Sequence, residues 1–308
     1  MSTFIECNSL TKKFGAKTAL DAISFTVSPG PAIGLVGPNG AGKTTLLSIL
    51  SGFLKPSSGL VKIRGSYPDD VSLKGRIGIL PQDVPFMQGI SVWSQLLLFA
   101  KLQGLKKTVA KDEILRVLEL LDIVNLAKQF PETLSYGQRK RVTIAQALIG
   151  QPGLILLDEP TSGLDPVAAN EVRNLVRNLC NQSTFIISSH NLDEIEDVCK
   201  EIILIDKGRI IKHCAISELV EQNNCLTITC EESLTDQAKD VLMSNAEIYE
   251  IKNNPGNSHK FSVYFKSENP DVLQFEILEV LQQHQIKVLE FSRGSALTEK
   301  VVDLVKDI

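Results

Sequence analysis

The sequence predicts an α/β protein in which a mainly parallel sheet carries a helical subdomain and is followed by a small C-terminal α+β domain. Continuous apolar runs recur from AIGLVG at 32–37 to IILID at 202–206, as in parallel strands covered on both faces. Helical patterns replace them between about 85 and 150. The chain of 308 residues is also longer than a single core usually supports, so two domains are expected.

The elements of the first domain follow in order. Short β-rich runs such as ISFTV alternate with glycine and proline turns, and AIGLVG leads through a glycine-rich loop into the helix TTLLSILSGF. The helical insertion comprises SVWSQLLLFAKLQGL, KDEILRVLELLDIV and SYGQRKRVTIAQALIG. After it, LILLD at 154–158, TFIISSH at 184–190 and IILID each follow a helical pattern. These runs predict a return to the parallel sheet.

The second domain is expected to begin near residue 220, which gives domains of 1–220 and 221–308. SELVEQNNC at 217–225 is polar, as at the end of a helix and the start of a linker. The later segments predict the order β-α-β-β-α-β, the ferredoxin-like arrangement, from CLTITC, LTDQAKDVLMSN, EIYEI, KFSVYF, NPDVLQFEILEVLQQHQ and IKVLEFS. SALTEKVVDLVKD at 295–307 predicts a closing helix.

Composition narrows the classes of function. A formal charge of −4 lacks the basic surplus typical of nucleic-acid binding, so no nucleic-acid partner is expected. The longest apolar runs, LLLFA and GLILL, are far shorter than a membrane span requires, and the first residues show no secretion signal, which predicts a cytoplasmic protein. Six cysteines without a C-x-x-C pair predict free thiols, and four histidines without ligand spacing predict no structural zinc.

The loop after AIGLVG carries the clearest chemical pattern. GPNGAGKTT fits G-x-x-x-x-G-K-[ST] directly between an apolar strand and a helix. Its glycines let backbone N–H groups turn toward phosphate, and the positive end of the following helix faces the same anion. Lys43 would reach the β- and γ-phosphates, and Thr44 would offer its hydroxyl to Mg²⁺. The pattern predicts a P-loop NTPase that binds ATP and Mg²⁺ through Gly37, Pro38, Asn39, Gly40, Ala41, Gly42, Lys43, Thr44 and Thr45.

Two adjacent carboxylates end the strand LILLD. Strand ends at the carboxyl edge of such a sheet lie beside the phosphate loop. Asp158 is therefore the predicted Mg²⁺ ligand, and Glu159 is predicted to orient and deprotonate the attacking water. The alternative is that the two acids form structural salt bridges.

Three further side chains are candidates for the same site. His190 ends the strand TFIISSH, where its imidazole could hydrogen-bond the γ-phosphate or the water, although an isolated histidine often has no such role. Gln82, in GILPQDVPF, follows another strand, and its amide could contact metal or water. Phe14, in TKKFGAK, could stack on a purine, or it could be an ordinary core or turn residue.

A second anion-binding corner is predicted at LSYGQ, residues 134–138. Ser135, Gly137 and Gln138 place a hydroxyl, a glycine and an amide at the start of a helix. The chain already has its own phosphate loop, and the helical insertion of a P-loop fold lies away from it. This corner is therefore expected to serve a nucleotide held by another subunit. The alternative is a capped helix with Ser135 as its N-cap.

Taken together, GPNGAGKT, LPQ, LSYGQ, LLDEP, SGLD and SSH occur in the order found in the ATP-binding cassette family, which the first 215 or so residues resemble. The resemblance implies that two cassettes meet head to tail, each signature helix closing over ATP on its partner, with Asp165 of SGLD at the interface and Phe14 as the adenine platform. It also implies catalytic roles for Lys43, Gln82, Glu159 and His190, with Gln82 also a metal ligand. Tyr136 departs from the usual glycine of the signature.

The resemblance further implies a second ATP-binding subunit, in a homodimer, and a separately encoded integral membrane permease, with this chain on the cytoplasmic face of the cell membrane. The permease is expected to dock near FMQGISVWSQLLLF, unless Phe86, Trp93 and Phe99 simply pack the helical subdomain. An added C-terminal domain is similar to those of exporter ATPases for drugs, antibiotics, lipids or polysaccharides. Alternatives are a cassette ATPase acting on ribosomes or nucleic acid, and a small-molecule kinase, which would have no need of LSYGQ.

Overall fold

The computed structural model describes residues 3–82, 85–180, 182–220, 225–254, 257–267 and 269–293. The first half of the chain contains β1 Ile5–Phe14, β2 Lys17–Val27, β3 Ala32–Val36, α1 Lys43–Leu50, β4 Ser58–Ile63, β5 Ile77–Leu80, α2 Val92–Leu102, α3 Lys107–Leu120 and α4 Tyr136–Leu148. The second half contains β6 Leu154–Asp158, α5 Pro166–Leu179, β7 Thr184–Ser189, α6 Leu192–Val198, β8 Glu201–Asp206, β9 Arg209–Ala215, α7 Ile216–Val220, β10 Cys225–Cys230, α8 Asp236–Met243, β11 Ile248–Asn254, β12 Asn257–Phe265, α9 Pro270–Gln283 and β13 Val288–Arg293. The helix predicted at 295–307 lies outside the described residues.

The chain divides into two compact units, Met1–Cys214 and Ala215–Ile308. The sequence predicted this division near residue 220. The structure divides the chain after Cys214, so α7 belongs to the second unit rather than to the end of the first. The predicted fold class, a mainly parallel sheet with a helical subdomain and a small α+β unit, is confirmed.

The main sheet of the first unit has the order β5-β6-β7-β3-β8-β9. The pairs β5–β6, β6–β7, β7–β3 and β3–β8 are all parallel. Every residue of β3, β6 and β7 is buried, which explains their continuous apolar sequences. Because parallel strands end at the same edge, the loops after β3, β6 and β7 lie next to one another.

A smaller antiparallel sheet, β2-β1-β4, completes the first unit. The helical insertion predicted at about 85–150 contains α2, α3 and α4. Ser91 caps α2 by accepting a hydrogen bond from the N–H of Ser94, and Ser135 caps α4 in the same way through Gln138. These caps fix where both helices begin.

The second unit confirms the predicted β-α-β-β-α-β order. Its antiparallel sheet has the order β11-β12-β10-β13, so the two central strands are β12 and β10. Its core is apolar and includes Leu226, Phe261 and Phe265, each no more than 1% exposed. In the described part of the chain, no helix has the length and apolar character needed to cross a bilayer.

Candidate functional site

The phosphate loop connects β3 to α1 and depends on its glycines. A Cβ on Gly37 would lie 2.0 Å from the carbonyl oxygen of Ile205, so no larger residue fits there. Gly42 is the N-cap of α1 with φ +113°, a conformation that glycine adopts without strain. Since Gly42 has no side chain, it leaves the first amides of α1 to another acceptor. The loop thus presents N–H groups at a helix N-terminus, as phosphate binding requires.

Lys43 is held over this loop. Its Nζ donates to the carbonyl oxygens of Gly37 at 2.6 Å and Pro38 at 3.2 Å, and the side chain is buried. Burial lowers the pKa of Lys43, while the nearby negative charges of Glu159 and Asp158 oppose that shift. The ammonium therefore lies close to both carboxylates predicted from LILLD.

Asp158 is the last residue of β6 and is only 2% exposed. It stands beside Ser188 in the parallel register, and the Ser188 hydroxyl donates to its Oδ1. Its other oxygen, Oδ2, is buried and has no hydrogen-bond partner among the described residues. Burying a carboxylate oxygen without a hydrogen-bond partner is unfavourable in free energy unless a cation binds it.

Glu159 follows Asp158 in a left-handed conformation, with φ +50°. Such a backbone is uncommon for residues other than glycine and clusters at functional sites. The N–H of Glu159 donates to the carbonyl oxygen of Ser188 at 3.2 Å and to the Ser188 hydroxyl at 3.0 Å. Ser188 therefore fixes both acids, a role that the sequence analysis missed; the paired serines of SSH were the available signal.

The carboxylate of Glu159 reaches His190. Its Oε2 lies 2.6 Å from Nδ1 of the imidazole. Because an ionised carboxylate only accepts hydrogen bonds, this contact requires the proton on Nδ1. His190 has 64% of its side chain exposed, whereas the Glu159 side chain is 9% exposed. The histidine therefore links the buried acid to the surface.

A cleft of about 350 Å³ brings most of the predicted residues together. Phe14 lies on its wall and is 49% exposed, which does not fit the core alternative. The cleft is lined by Phe14, Lys17, Ala19, Asn39, Gly40, Gly42, Lys43, Thr44, Thr45, Gln82, Asp158 and Glu159. Lys17 and Ala19 of β2 were not predicted, because nothing in their local sequence suggests a ligand.

The predicted second corner lies outside this cleft. Ser135 accepts a hydrogen bond from the N–H of Gln138 at 3.3 Å, and the amide oxygen of Gln138 accepts from the N–H of Ser135 at 3.0 Å. The capped-helix alternative is therefore also present in the structure. Gly137 lies in the first turn of α4. Asp165 caps α5 by accepting from the N–H groups of Val167 and Ala168. Within one chain, none of these residues completes the cleft.

The cleft suits a magnesium ion that is shared with phosphate. Among the described residues, no group of three or more His, Cys, Asp or Glu side chains could hold a metal alone. Mg²⁺ commonly uses one or two protein oxygens and completes its shell with phosphate and water. The unpaired Oδ2 of Asp158, with Thr44 and Gln82 in the same cleft, meets that requirement.

The chain is also similar in sequence to known proteins. A family model described as ABC transporter matches residues 20–162. The bacitracin transport ATP-binding protein of Bacillus licheniformis is 31% identical over 306 residues, which span 94% of this chain and 98% of that protein. The linearmycin resistance ATP-binding protein of Bacillus subtilis is 35% identical over 67% of this chain and 68% of its own length.

A solved structure gives the same result for the fold. The cbiO1 protein from Clostridium perfringens, part of the ABC transporter complex cbiONQ, matches with a TM-score of 0.64 and 28% identity. The match covers 71% of this chain and 90% of that one. The likeness to the Bacillus licheniformis protein also extends beyond the first unit, since it spans nearly the whole chain.

Proposed function

This chain belongs to the family of ABC transporter ATP-binding proteins, and on that premise we propose that it is the ATP-hydrolysing subunit of an exporter. One observation carries the proposal. The cleft gathers Lys43, Asp158 and Glu159 around a phosphate loop, whereas Ser135 at the start of α4 lies outside it. A site of this kind is complete only when a second copy supplies its own α4.

ATP hydrolysis proceeds by in-line attack of water on the γ-phosphate, which releases ADP and phosphate. Lys43 and the N–H groups of the loop bind the phosphates and stabilise the charge that develops on them. Glu159 orients the attacking water and accepts a proton from it. His190 keeps one oxygen of Glu159 engaged at 2.6 Å and leaves Oε1 for the water.

The same site would hold Mg²⁺ through the hydroxyl of Thr44, the amide of Gln82 and the Oδ2 of Asp158. When bound, the ion would neutralise negative charge that develops on the phosphates. Ser188 keeps the Asp158 carboxylate in one orientation, because its hydroxyl donates to Oδ1 and leaves Oδ2 as the oxygen that could bind the ion. Phe14 provides the surface on which the adenine stacks.

Two chains then form a head-to-tail dimer around two ATP molecules. Ser135, Gly137 and Gln138 of one copy contact the γ-phosphate held by the other, and Asp165 lies at the interface. The hydroxyl of Ser135 accepts a hydrogen bond from Gln138 within its own helix. Its O–H can still donate to a phosphate oxygen, so capping and nucleotide binding are compatible.

ATP hydrolysis by this chain drives a separate membrane permease, and the chain lies on the cytoplasmic face of the membrane. A groove of about 370 Å³ beside Gln82 offers a docking position. Phe86, Tyr136 and Lys140 line this groove, whereas Trp93 and Phe99 are half-buried on α2 and belong to the packing of the helical subdomain. The names of two relatives, which refer to bacitracin transport and linearmycin resistance, favour export of an antibiotic compound.

Affinity purification tests the partner. We expect the tagged chain, extracted from membranes with detergent, to bring down a multi-span membrane protein. Phe86→Asp should reduce that yield at least tenfold, because a charge in the groove opposes apolar docking, while ATP hydrolysis by the isolated chain is retained. Phe53→Asp is the control, since Phe53 is 89% exposed elsewhere. Recovery of ribosomes or DNA instead would favour the alternative cassette ATPase.

A further inference from the structure

Two side chains of α4 hold the segment that follows the catalytic strand. The phenol of Tyr136 donates to the carbonyl oxygen of Ser162 at 3.1 Å. One turn later, Nζ of Lys140 donates to the carbonyl oxygen of Glu159 at 3.0 Å. Positions four residues apart lie on the same face of a helix, so one face of α4 reaches both ends of segment 159–162.

This segment adopts a backbone that needs support. Glu159 has φ +50°, and conformations of this kind persist only where neighbouring groups hold them. Ser188 holds the N–H of Glu159, and Lys140 holds its carbonyl oxygen. The peptide groups on both sides of the Glu159 side chain are therefore fixed by residues from two different elements, β7 and α4.

Tyr136 contacts the segment through its ring as well as its hydroxyl. Gly163 has φ +76°, and a Cβ there would lie 2.9 Å from Cε1 of the tyrosine. The ring thus packs directly on the glycine backbone. A glycine at 136 would remove both the packing and the hydrogen bond to Ser162, so the departure from the usual signature has a structural consequence.

Lys140 is buried at 7% exposure. A buried ammonium is unfavourable unless hydrogen bonds compensate for its lost hydration. Its bond to Glu159 is itself buried, and a charged donor makes a stronger bond than a neutral one. The lysine therefore contributes more than its apolar stem to this part of the structure.

We propose that Tyr136 and Lys140 are positioning residues for ATP hydrolysis, which hold segment 159–163 so that the carboxylate of Glu159 faces the attacking water. The inference rests on the proposed function for the role of Glu159. It adds a physical connection: the helix end that offers Ser135 to one nucleotide also holds the base that acts on the other.

Hydrogen exchange and steady-state kinetics on the full chain test this proposal together. Lys140→Met keeps most of the apolar stem and removes the donor, while Tyr136→Phe removes only a hydroxyl. We expect faster amide exchange in residues 159–164 of both variants. We also expect kcat to fall roughly 10- to 100-fold for Lys140→Met and roughly 3- to 10-fold for Tyr136→Phe, with KM for ATP unchanged.

The controls separate positioning from general loss of stability. Lys111→Met removes an exposed lysine of α3, and Tyr67→Phe removes an exposed phenol; both should match the parent in exchange and kcat. Lys140→Arg keeps a charged donor and should recover most of the lost kcat. Unchanged exchange in 159–164, or faster exchange with parental kcat, would overturn the proposal. A parent that does not hydrolyse ATP would instead overturn the proposed function, and exchange would still decide whether α4 holds this segment.

Discussion

Replacing Ser188 with alanine should lower the free energy of unfolding, because it removes two hydrogen bonds of the Ser188 hydroxyl. The hydroxyl donates to the Asp158 carboxylate and accepts from the N–H of Glu159 at 3.0 Å. The N–H of Glu159 keeps its bond to the Ser188 carbonyl oxygen, so the loss falls mainly on Asp158. A hydrogen bond to a charged group contributes about 1.5–3 kcal/mol, and we expect the free energy of unfolding to fall by about 2 kcal/mol.

Denaturant unfolding followed by tryptophan fluorescence measures this change. The single tryptophan, Trp93, lies in α2 and reports on the first unit. Ser183→Ala is the matched control, because the Ser183 hydroxyl donates to a neutral acceptor, the carbonyl oxygen of Pro152, at 2.7 Å. That variant should lose about 0.5–1.5 kcal/mol. In a unit of this size, 2 kcal/mol corresponds to a fall in Tm of roughly 4–8 °C.

The stability losses of Ser188→Ala and Ser183→Ala together test whether the bond to Asp158 is unusually strong. If Ser188→Ala loses no more than Ser183→Ala, the bond to Asp158 has no special strength and Ser188 does not fix the carboxylate. The variant should also need more Mg²⁺ for half-maximal ATP hydrolysis, because the orientation of Asp158 is then less defined. A Mg²⁺ requirement equal to that of the parent would contradict the role given to Oδ2.

Three further predictions concern the site and its support. Ser135→Ala should abolish hydrolysis but leave the affinity of the monomer for ATP unchanged. As the control, Ser91→Ala removes an equivalent helix cap, also at 3.3 Å, and should lower stability by about 1 kcal/mol without loss of hydrolysis. Equal kinetics in the two variants would refute the role of Ser135 at the partner's nucleotide. His190→Ala should lower kcat at least tenfold with KM unchanged in a steady-state assay, because Glu159 then loses its bond at 2.6 Å; parental kcat would contradict this. Burial alone would raise the pKa of Glu113, but hydrogen bonds and charge from Arg116 and the N–H of Gly150 lower it overall from 4.5. The Glu113 carboxylate therefore stabilises the fold above that pH, and this contribution is lost as pH falls through the lowered pKa. Glu113→Gln should be about 1–3 kcal/mol less stable than the parent at pH 7, and the difference should shrink in acid. A difference that does not depend on pH would contradict this role of Glu113.

Local sequence was enough to predict the parts of the site that depend on strand ends. A glycine-rich loop after an apolar strand, acids at the end of LILLD and a histidine at the end of TFIISSH all meet at one edge, because parallel strands finish together. The order of elements in the second unit was also predictable, since strand-like and helix-like segments follow one another in the ferredoxin-like order.

The supporting contacts could not be predicted in this way. Asp158 and Ser188 are 30 residues apart, and their hydrogen bond follows from the pairing of β6 with β7. Lys140 lies between two arginines, and this local pattern gives no sign that its side chain is buried against the carbonyl oxygen of Glu159. The functional roles of the cleft residues are predictions that the variants above test.

The most direct test of the account is the size of the Glu159→Gln chain with ATP. This variant should bind ATP without cleaving it, and small-angle scattering should show particles of two 33.8 kDa chains. Adding Ser135→Ala to the same variant should return single chains, because the second copy then lacks its contact with the γ-phosphate. If Glu159→Gln with saturating ATP remained a single chain, the shared nucleotide site would be contradicted.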